Sequence, residues 1–271
     1  MNIIGICRFS MIGRGDWKAY RNVDESELEP IYAQKERELF EDVRMAARFQ
    51  TFEHLTLAAL DSQRDQNFKL LVISSDRMPQ HYQNRLRDLC ATRPYILLRF
   101  VSPMHVADAQ LQILDEIGLE LSDCLQFRLD DDDCLSSDYI RKLRKHGATL
   151  WKAHGAFAVS FPNVIYSVID GPTQGVYRWF NPFLGVGLAV RHPRRSVFGF
   201  AHYRIPSLMV ALTDPSVPSI VTHYGMNDTP RHAKEILAKR GMKKAPRQDL
   251  ERLLERHFGF LTSEGAKAAG L

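Results

Sequence analysis

Short apolar runs recur along the first half of the chain, and stretches with helical spacing lie between them. Ile3–Cys7, Phe68–Ser74, Tyr95–Val101 and Cys124–Leu129 read as buried strands. Continuous apolar runs of this length, bounded by turn residues, suit strands covered on both faces. Glu36–Ala47 has helical composition. Thr51–Ser62 sets Phe52, Leu55, Ala59 and Leu60 on one side of a helix with Thr51 as its N-cap. Tyr82–Cys90 and Ala107–Ile117 read as further helices, the second closing on Gly118. Ser136 or Ser137 is placed to cap a basic helix that runs to about His146 and ends at Gly147. Strand alternating with helix predicts a parallel sheet wrapped by helices.

The second half changes character. Ala156–Phe161, Val164–Ile169, Val176–Phe180, Gly185–Val190 and Pro218–Thr222 are short strand-like runs broken by Pro and Gly. Helices are expected over Pro230–Arg240 and Arg247–His257, followed by a Gly/Ala-rich tail prone to fray. Arg8 to about Pro30 is polar, carries Gly13 and Gly15, and reads as a long loop suited to close over a ligand. The pattern predicts one continuous α/β domain made of two halves. Residues 1–150 would bind a nucleotide on a Rossmann-like sheet, and 151–271 would form a mixed α/β half for a second substrate.

Composition narrows the picture. Lys and Arg number 36 against 32 Asp and Glu, a formal charge of +4. The basic residues are scattered, which excludes the concentrated stripe of a nucleic-acid binder. Mild positive charge does suit an anionic nucleotide or peripheral contact with an anionic membrane face. Cys7, Cys90, Cys124 and Cys134 form no C-x-x-C pair, so a zinc site and a disulfide framework are not expected. The N-terminus opens on a strand without a signal-peptide pattern, and no run approaches the length of a membrane span. A cytoplasmic protein is the expectation. Walker A and G-x-G-x-x-G motifs are absent, which counts against a P-loop kinase and a dinucleotide oxidoreductase.

The chemical signal is Asp130-Asp131-Asp132-Asp133, which follows directly on the fourth strand. Adjacent carboxylates repel, and a cation relieves them. In extended chain Asp130 and Asp132 would share one side and Asp131 and Asp133 the other, unless the chain turns. A D-x-D pair of hard oxygen donors suits Mg²⁺ or Mn²⁺ with positions left for phosphate oxygens. Ligands of open α/β sheets bind beyond the strands' carboxyl ends, where this run lies.

Leu129–Asp133 followed by Ser137-Asp138-Tyr139-Ile140 resembles the D-x-D region of GT-A glycosyltransferases. Arg48-Phe49-x-x-Phe52-Glu53, Ser62-Gln63-x-x-Gln66-Asn67-Phe68, Ser74–Pro79 and Thr222-His223-Tyr224-Gly225 are similar to a rhamnosyltransferase family. The resemblance implies a GT-A fold, a nucleoside-diphosphate-sugar donor, and Mn²⁺ or Mg²⁺ as cofactor. It puts Asp130 and Asp132 on the metal, with Asp133 and the late His223 assisting. Arg8, Ser10, Asp76, Asp130 and Asp131 fall along the donor. The Glu-Asp pair that supplies the base in many inverting GT-A enzymes is missing after Asp133. His202 therefore becomes the candidate base, with Asp170 and Asp214 behind it. Trp179 and Phe180 could stack on a sugar face. The implied acceptor is a saccharide or a lipid-linked glycan. The competing readings are a metal-dependent phosphoryl or nucleotidyl transferase and a non-catalytic binding module.

Overall fold

The computed structural model describes residues 1–14, 23–24, 27–224 and 234–271. The parallel core follows the apolar runs. β1 (Asn2–Arg8), β2 (Lys69–Ser75), β3 (Ile96–Val101) and β4 (Cys124–Asp130) lie side by side and all parallel, with β1 between β2 and β4. Gly5 is needed at the centre of β1. A Cβ there would stand 2.5 Å from Phe127 and 2.8 Å from Leu70. The register sets Arg8 directly beside Asp130, so the carboxyl ends of the central strands share one edge.

After β4 the chain turns through Asp131-Asp132 and re-enters a strand at β5 (Asp133–Leu135), which belongs to a different sheet. β6 (Phe157–Ser160), β9 (Ala189–Arg191) and β10 (Val210–Thr213) extend the first sheet to seven strands, in the order β10-β6-β9-β4-β1-β2-β3. The second sheet combines β5, β7 (Asn163–Val168), β8 (Gly175–Phe180), β11 (Ser219–His223) and β12 (Lys243–Lys244), in the order β12-β8-β7-β11-β5. Each half of the chain thus donates strands to the other's sheet, and the line near residue 150 is no structural seam.

Helices cover the first sheet, and several differ from the sequence pattern. The stretch read as one helix over Glu36–Ala47 breaks at Phe40, between α1 (Leu28–Leu39) and α2 (Asp42–Thr51). α2 continues without pause through a π-turn (Phe52–Leu57) into α3 (Ala58–Asp61). Thr51 is therefore no N-cap: its hydroxyl donates back to the Ala47 and Arg48 carbonyls. α4 (Gln80–Ala91) and α5 (Val106–Glu116) match expectation closely.

α6 (Tyr139–Trp151) starts beyond both serines and runs past Gly147, which packs against Leu125. Its first turn is capped from 77 residues away: the Gln63 amide oxygen accepts from Ile140 N–H, and its nitrogen donates to Ser136 O. Only Ala189–Arg191 of the run Gly185–Val190 is strand. α7 (Lys234–Lys239) and α8 (Arg247–Phe258) follow the predicted pair, although 230–233 lie outside the described residues. The tail is not frayed. It forms α9 (Ser263–Ala268), with Ala268 and Ala269 buried and Gly265 close against the His54 carbonyl. The four cysteines are free and buried. Ten residues of the expected closing loop, 15–22 and 25–26, lie outside the described residues. No helix among those described is long and apolar enough to cross a membrane.

Candidate active site

The carboxyl edge of β1 and β4 opens into a cavity of ≈ 350 Å³, and all four aspartates of the run line it. They are held by backbone tethers, because a tight turn between two sheets leaves carbonyls to satisfy. Thr222 Oγ1 donates to Asp132 O at 3.0 Å, and Thr56 Oγ1 donates to Asp133 O at 2.9 Å. Asp131, Asp132 and Asp133 are buried, whereas Asp130 is half-exposed at the cavity wall.

Arginines oppose this charge. Arg48, buried on α2, hydrogen-bonds Asp131 and lies 3.4 Å from Asp132. Arg8 lies 3.4 Å from Asp130. Arg44, Arg128 and Arg240 also line the cavity, so five guanidiniums face four carboxylates. Phe198 serves as a plate for two of them, with Arg128 4.4 Å and Arg8 5.2 Å from its ring centroid. Burial and mutual repulsion divide the aspartates. Burial acts to raise Asp130, but Arg8, Arg128 and Arg48 outweigh it and hold the carboxyl below its usual range. Burial pushes Asp131 up despite Arg48. It lifts Asp132 to about 7, with Asp131 and Asp130 adding to the rise, and it lifts Asp133 well up. Burial works against the Arg48 charge, yet Asp131 and Asp132 keep that guanidinium firmly protonated.

Two strained residues adjoin the cavity. Ser10 (φ 45°) and Phe183 (φ 62°) are the non-glycine residues with left-handed backbone among those described. Such strain persists where surroundings enforce it, commonly at functional sites. Ser10 lines the cavity and is buried, and its hydroxyl has no hydrogen-bond partner among the described residues. Phe183 is pinned by Ser160 Oγ, which accepts its N–H at 2.8 Å. Its carbonyl then lies 2.6 Å from His202 Nδ1. A carbonyl can only accept, so Nδ1 carries the proton, and a neutral His202 has Nε2 free to take one. Burial lowers the His202 pKa, and Arg128 adds to the effect against the Phe183 hydrogen bond. Burial thus favours the neutral ring, which sits half-buried in the cavity lining.

The structure brings Arg8, Ser10, Asp130, Asp131, Asp132, Asp133, His202 and His223 to one cavity. Asp76 and Asp170 are not among its lining. Asp76 follows β2 and is exposed, with its backbone tied to Val101 and Gln83. Asp170 lies past β7. Asp214 is also elsewhere, paired with His146 at 2.7 Å. Trp179 lines the cavity and packs edge-on against Tyr166 at 5.7 Å, while Phe180 is not among the lining residues. Sequence reasoning assigned no role to Arg44, Arg48, Arg128 or Arg240. For the first two a signal existed: charges four apart on a helix whose same face carries Met45, Phe49 and Phe52 must be buried and paired.

Among the described residues no three His, Cys, Asp or Glu side chains form a ready metal cage. The donors still fit a hard cation of the kind that uses one or two carboxylates and completes its shell with phosphate oxygens. The Asp131 Oδ2 oxygen is buried without a hydrogen-bond partner among the described residues, and burial raises Asp132 to about 7 and Asp133 well above the ordinary carboxylate range.

Comparison with known proteins decides the family. The profile described as "Putative rhamnosyl transferase" matches residues 2–236. The chain belongs to this family. No curated protein matches the sequence. Among solved structures, S. aureus TarS 1-349 in complex with UDP-GlcNAc is 9% identical, with a TM-score of 0.41 over 88% of this chain and 64% of that one. A protein described as "putative nucleotide-diphospho-sugar transferase", from Desulfovibrio desulfuricans G20, is 10% identical, with a TM-score of 0.40 over 99% of this chain and 97% of that one. The chain spans between 22% and 64% of the TarS chains it matches. The match runs through the mostly parallel sheet and most of the mixed second half.

Proposed function

We propose that the chain moves a sugar, rhamnose by its family, from a nucleoside-diphosphate donor to a hydroxyl of a saccharide or lipid-linked glycan. The observation that carries this reading is the meeting of five arginines and four aspartates in one cavity at the carboxyl edge of the sheet. A diphosphate is the ligand that suits both signs: arginines take its oxygens directly, and carboxylates take them through a cation. Asp130 and Asp132 would hold Mg²⁺ or Mn²⁺, with Asp133 and His223 beside them. That ion supplies positive charge at the departing diphosphate.

The chain's own groups do the rest. Arg8 and Arg128, fixed on the Phe198 ring, face the anion, and Ser10 offers a hydroxyl to the donor. His202 Nε2 takes the acceptor hydroxyl's proton as that oxygen bonds to the anomeric carbon. The carbon's bond to the diphosphate breaks in the same step, and the electron pair leaves with the phosphate, inverting the centre. The reaction is suited to the cytoplasmic side of a membrane, where activated sugars are made. A thermal-shift screen of UDP, GDP, dTDP and nucleoside-diphosphate rhamnose, with and without Mn²⁺, tests the reading. One nucleotide should raise Tm by mass action, and more so with Mn²⁺. Turnover should release a nucleoside diphosphate; release of pyrophosphate would make the enzyme a nucleotidyl transferase. No shift with any nucleotide would leave a binding module.

A further inference from the structure

A second cavity, of ≈ 590 Å³, shares Trp179 with the lining of the first. The indole is fixed, since its N–H donates to Arg240 O at 3.0 Å. Next along β8, Phe180 is 61% exposed. An aromatic ring held open to water beside a cavity is a surface for a flat apolar partner. β12 pairs with β8, opposing Lys243 to Arg178 and Lys244 to Tyr177, and so brings two lysines to the same cavity. Both lysines are exposed, and among the described residues neither has an ion pair. The cavity's one lining carboxylate, Asp249, is already engaged by Arg178 at 3.6 Å.

We propose that this second cavity is the acceptor site, and that it selects an anionic saccharide. The apolar face of a sugar ring lies on Phe180, and a carboxylate or phosphate on the glycan is held by Lys243 and Lys244. Trp179 is common to both linings, which sets this site next to the donor cavity. The inference rests on the glycosyl-transfer reading above. The unpaired lysines supply the charge discrimination, because complementary charge sets specificity where stacking alone does not.

Titration calorimetry on the full chain tests it with trigalacturonate, its carboxyl-reduced neutral counterpart, and a phosphorylated maltotriose. At low salt at least one charged trisaccharide should bind about tenfold tighter than the neutral one, a gap that shrinks in high salt. Which charged ligand wins separates carboxylate from phosphate. The Lys243→Ala/Lys244→Ala double variant should lose that preference, and Phe180→Ala should weaken charged and neutral ligands together. Nucleotide binding, followed separately by thermal shift, should be unchanged in both variants. Equal affinity for charged and neutral trisaccharides overturns the proposal, as does an unchanged preference in the double variant. So does binding of anionic-lipid vesicles through these lysines with no trisaccharide binding. If wild-type chain binds no nucleotide while trisaccharide discrimination persists, the donor reading fails and the site stands.

Discussion

At the residue scale, the aspartate run was legible in the sequence, but its counter-charges were not. Four adjacent carboxylates after an apolar strand announce a charged site. Arg48, on a helix more than 80 positions upstream, is marked as buried by the apolar face it shares, but nothing beside the aspartates names it as their partner. Asp132 gives the first prediction. Its pKa rises from an ordinary carboxylate value to about 7 on folding. Between about pH 4 and 7 the folded chain thus binds more protons than the unfolded one, and this group's contribution to stability falls as pH rises. Asp132→Asn removes that penalty. The cation-free variant should exceed wild type in Tm by a margin that grows from pH 5 to 8, and should lose Mn²⁺-dependent nucleotide binding. A margin that shrinks with pH would show that the carboxylate is not held neutral.

Arg48 gives the opposite sign, since it is buried against Asp131 and Asp132. Arg48→Met strands those carboxylates and should cost about 3–5 kcal/mol in urea unfolding. The double change Arg48→Met/Asp131→Leu should recover part of that loss, and failure to recover any would deny the pairing. The two histidines separate by role. His202→Ala should lower kcat about 10²–10⁴-fold with nucleotide affinity kept. His223→Ala should weaken Mn²⁺-nucleotide binding as well. Nucleotide binding lost in His202→Ala, or kept in full in His223→Ala, would reverse the assignment.

At the scale of elements, the strands of the first half were readable because β1, β2 and β4 are largely buried on both faces and so are mostly apolar. Helix ends were less readable, because distant groups decide them. Thr51 has the side chain of an N-cap, but α2 runs through it into a π-turn whose Phe52, Leu55 and Leu57 are fully buried. Packing outweighs a local cap worth about 1 kcal/mol. The start of α6 likewise depends on Gln63, buried on the segment after α3. Gln63→Leu should cost on the order of 2 kcal/mol, the cost of leaving buried backbone groups unpaired. The Ile140 amide should then exchange with solvent faster than amides in the middle of α6. Unaltered exchange there would show that Asp138, the N-cap residue, suffices.

At the scale of the whole molecule, the pattern predicted a parallel sheet and a mixed second half, and both are present. Their interleaving was not visible. β5 is three residues long and β9 is three, too short for a periodicity to declare which sheet they join. Yet β9 inserts antiparallel between β4 and β6, and β5 crosses to pair with β11. The aspartate turn is the crossing point, so the active site is built where the two sheets exchange strands. Removing residues beyond 150 would strip β4 of its neighbour β9 and β5 of β11, exposing backbone edges that folded sheets keep paired. The two halves should therefore unfold together. In urea, tryptophan fluorescence of a Trp17→Phe background, which removes the tryptophan outside the described residues, reports Trp151 on α6 over the first sheet and Trp179 in the second. Its transition should coincide with that of far-UV circular dichroism, in a single step. A fragment of residues 1–150 should show no cooperative transition of its own. Separate midpoints for the two probes, or a fragment that unfolds cooperatively, would mean that the halves are independent folding units and that the shared strands add little to either.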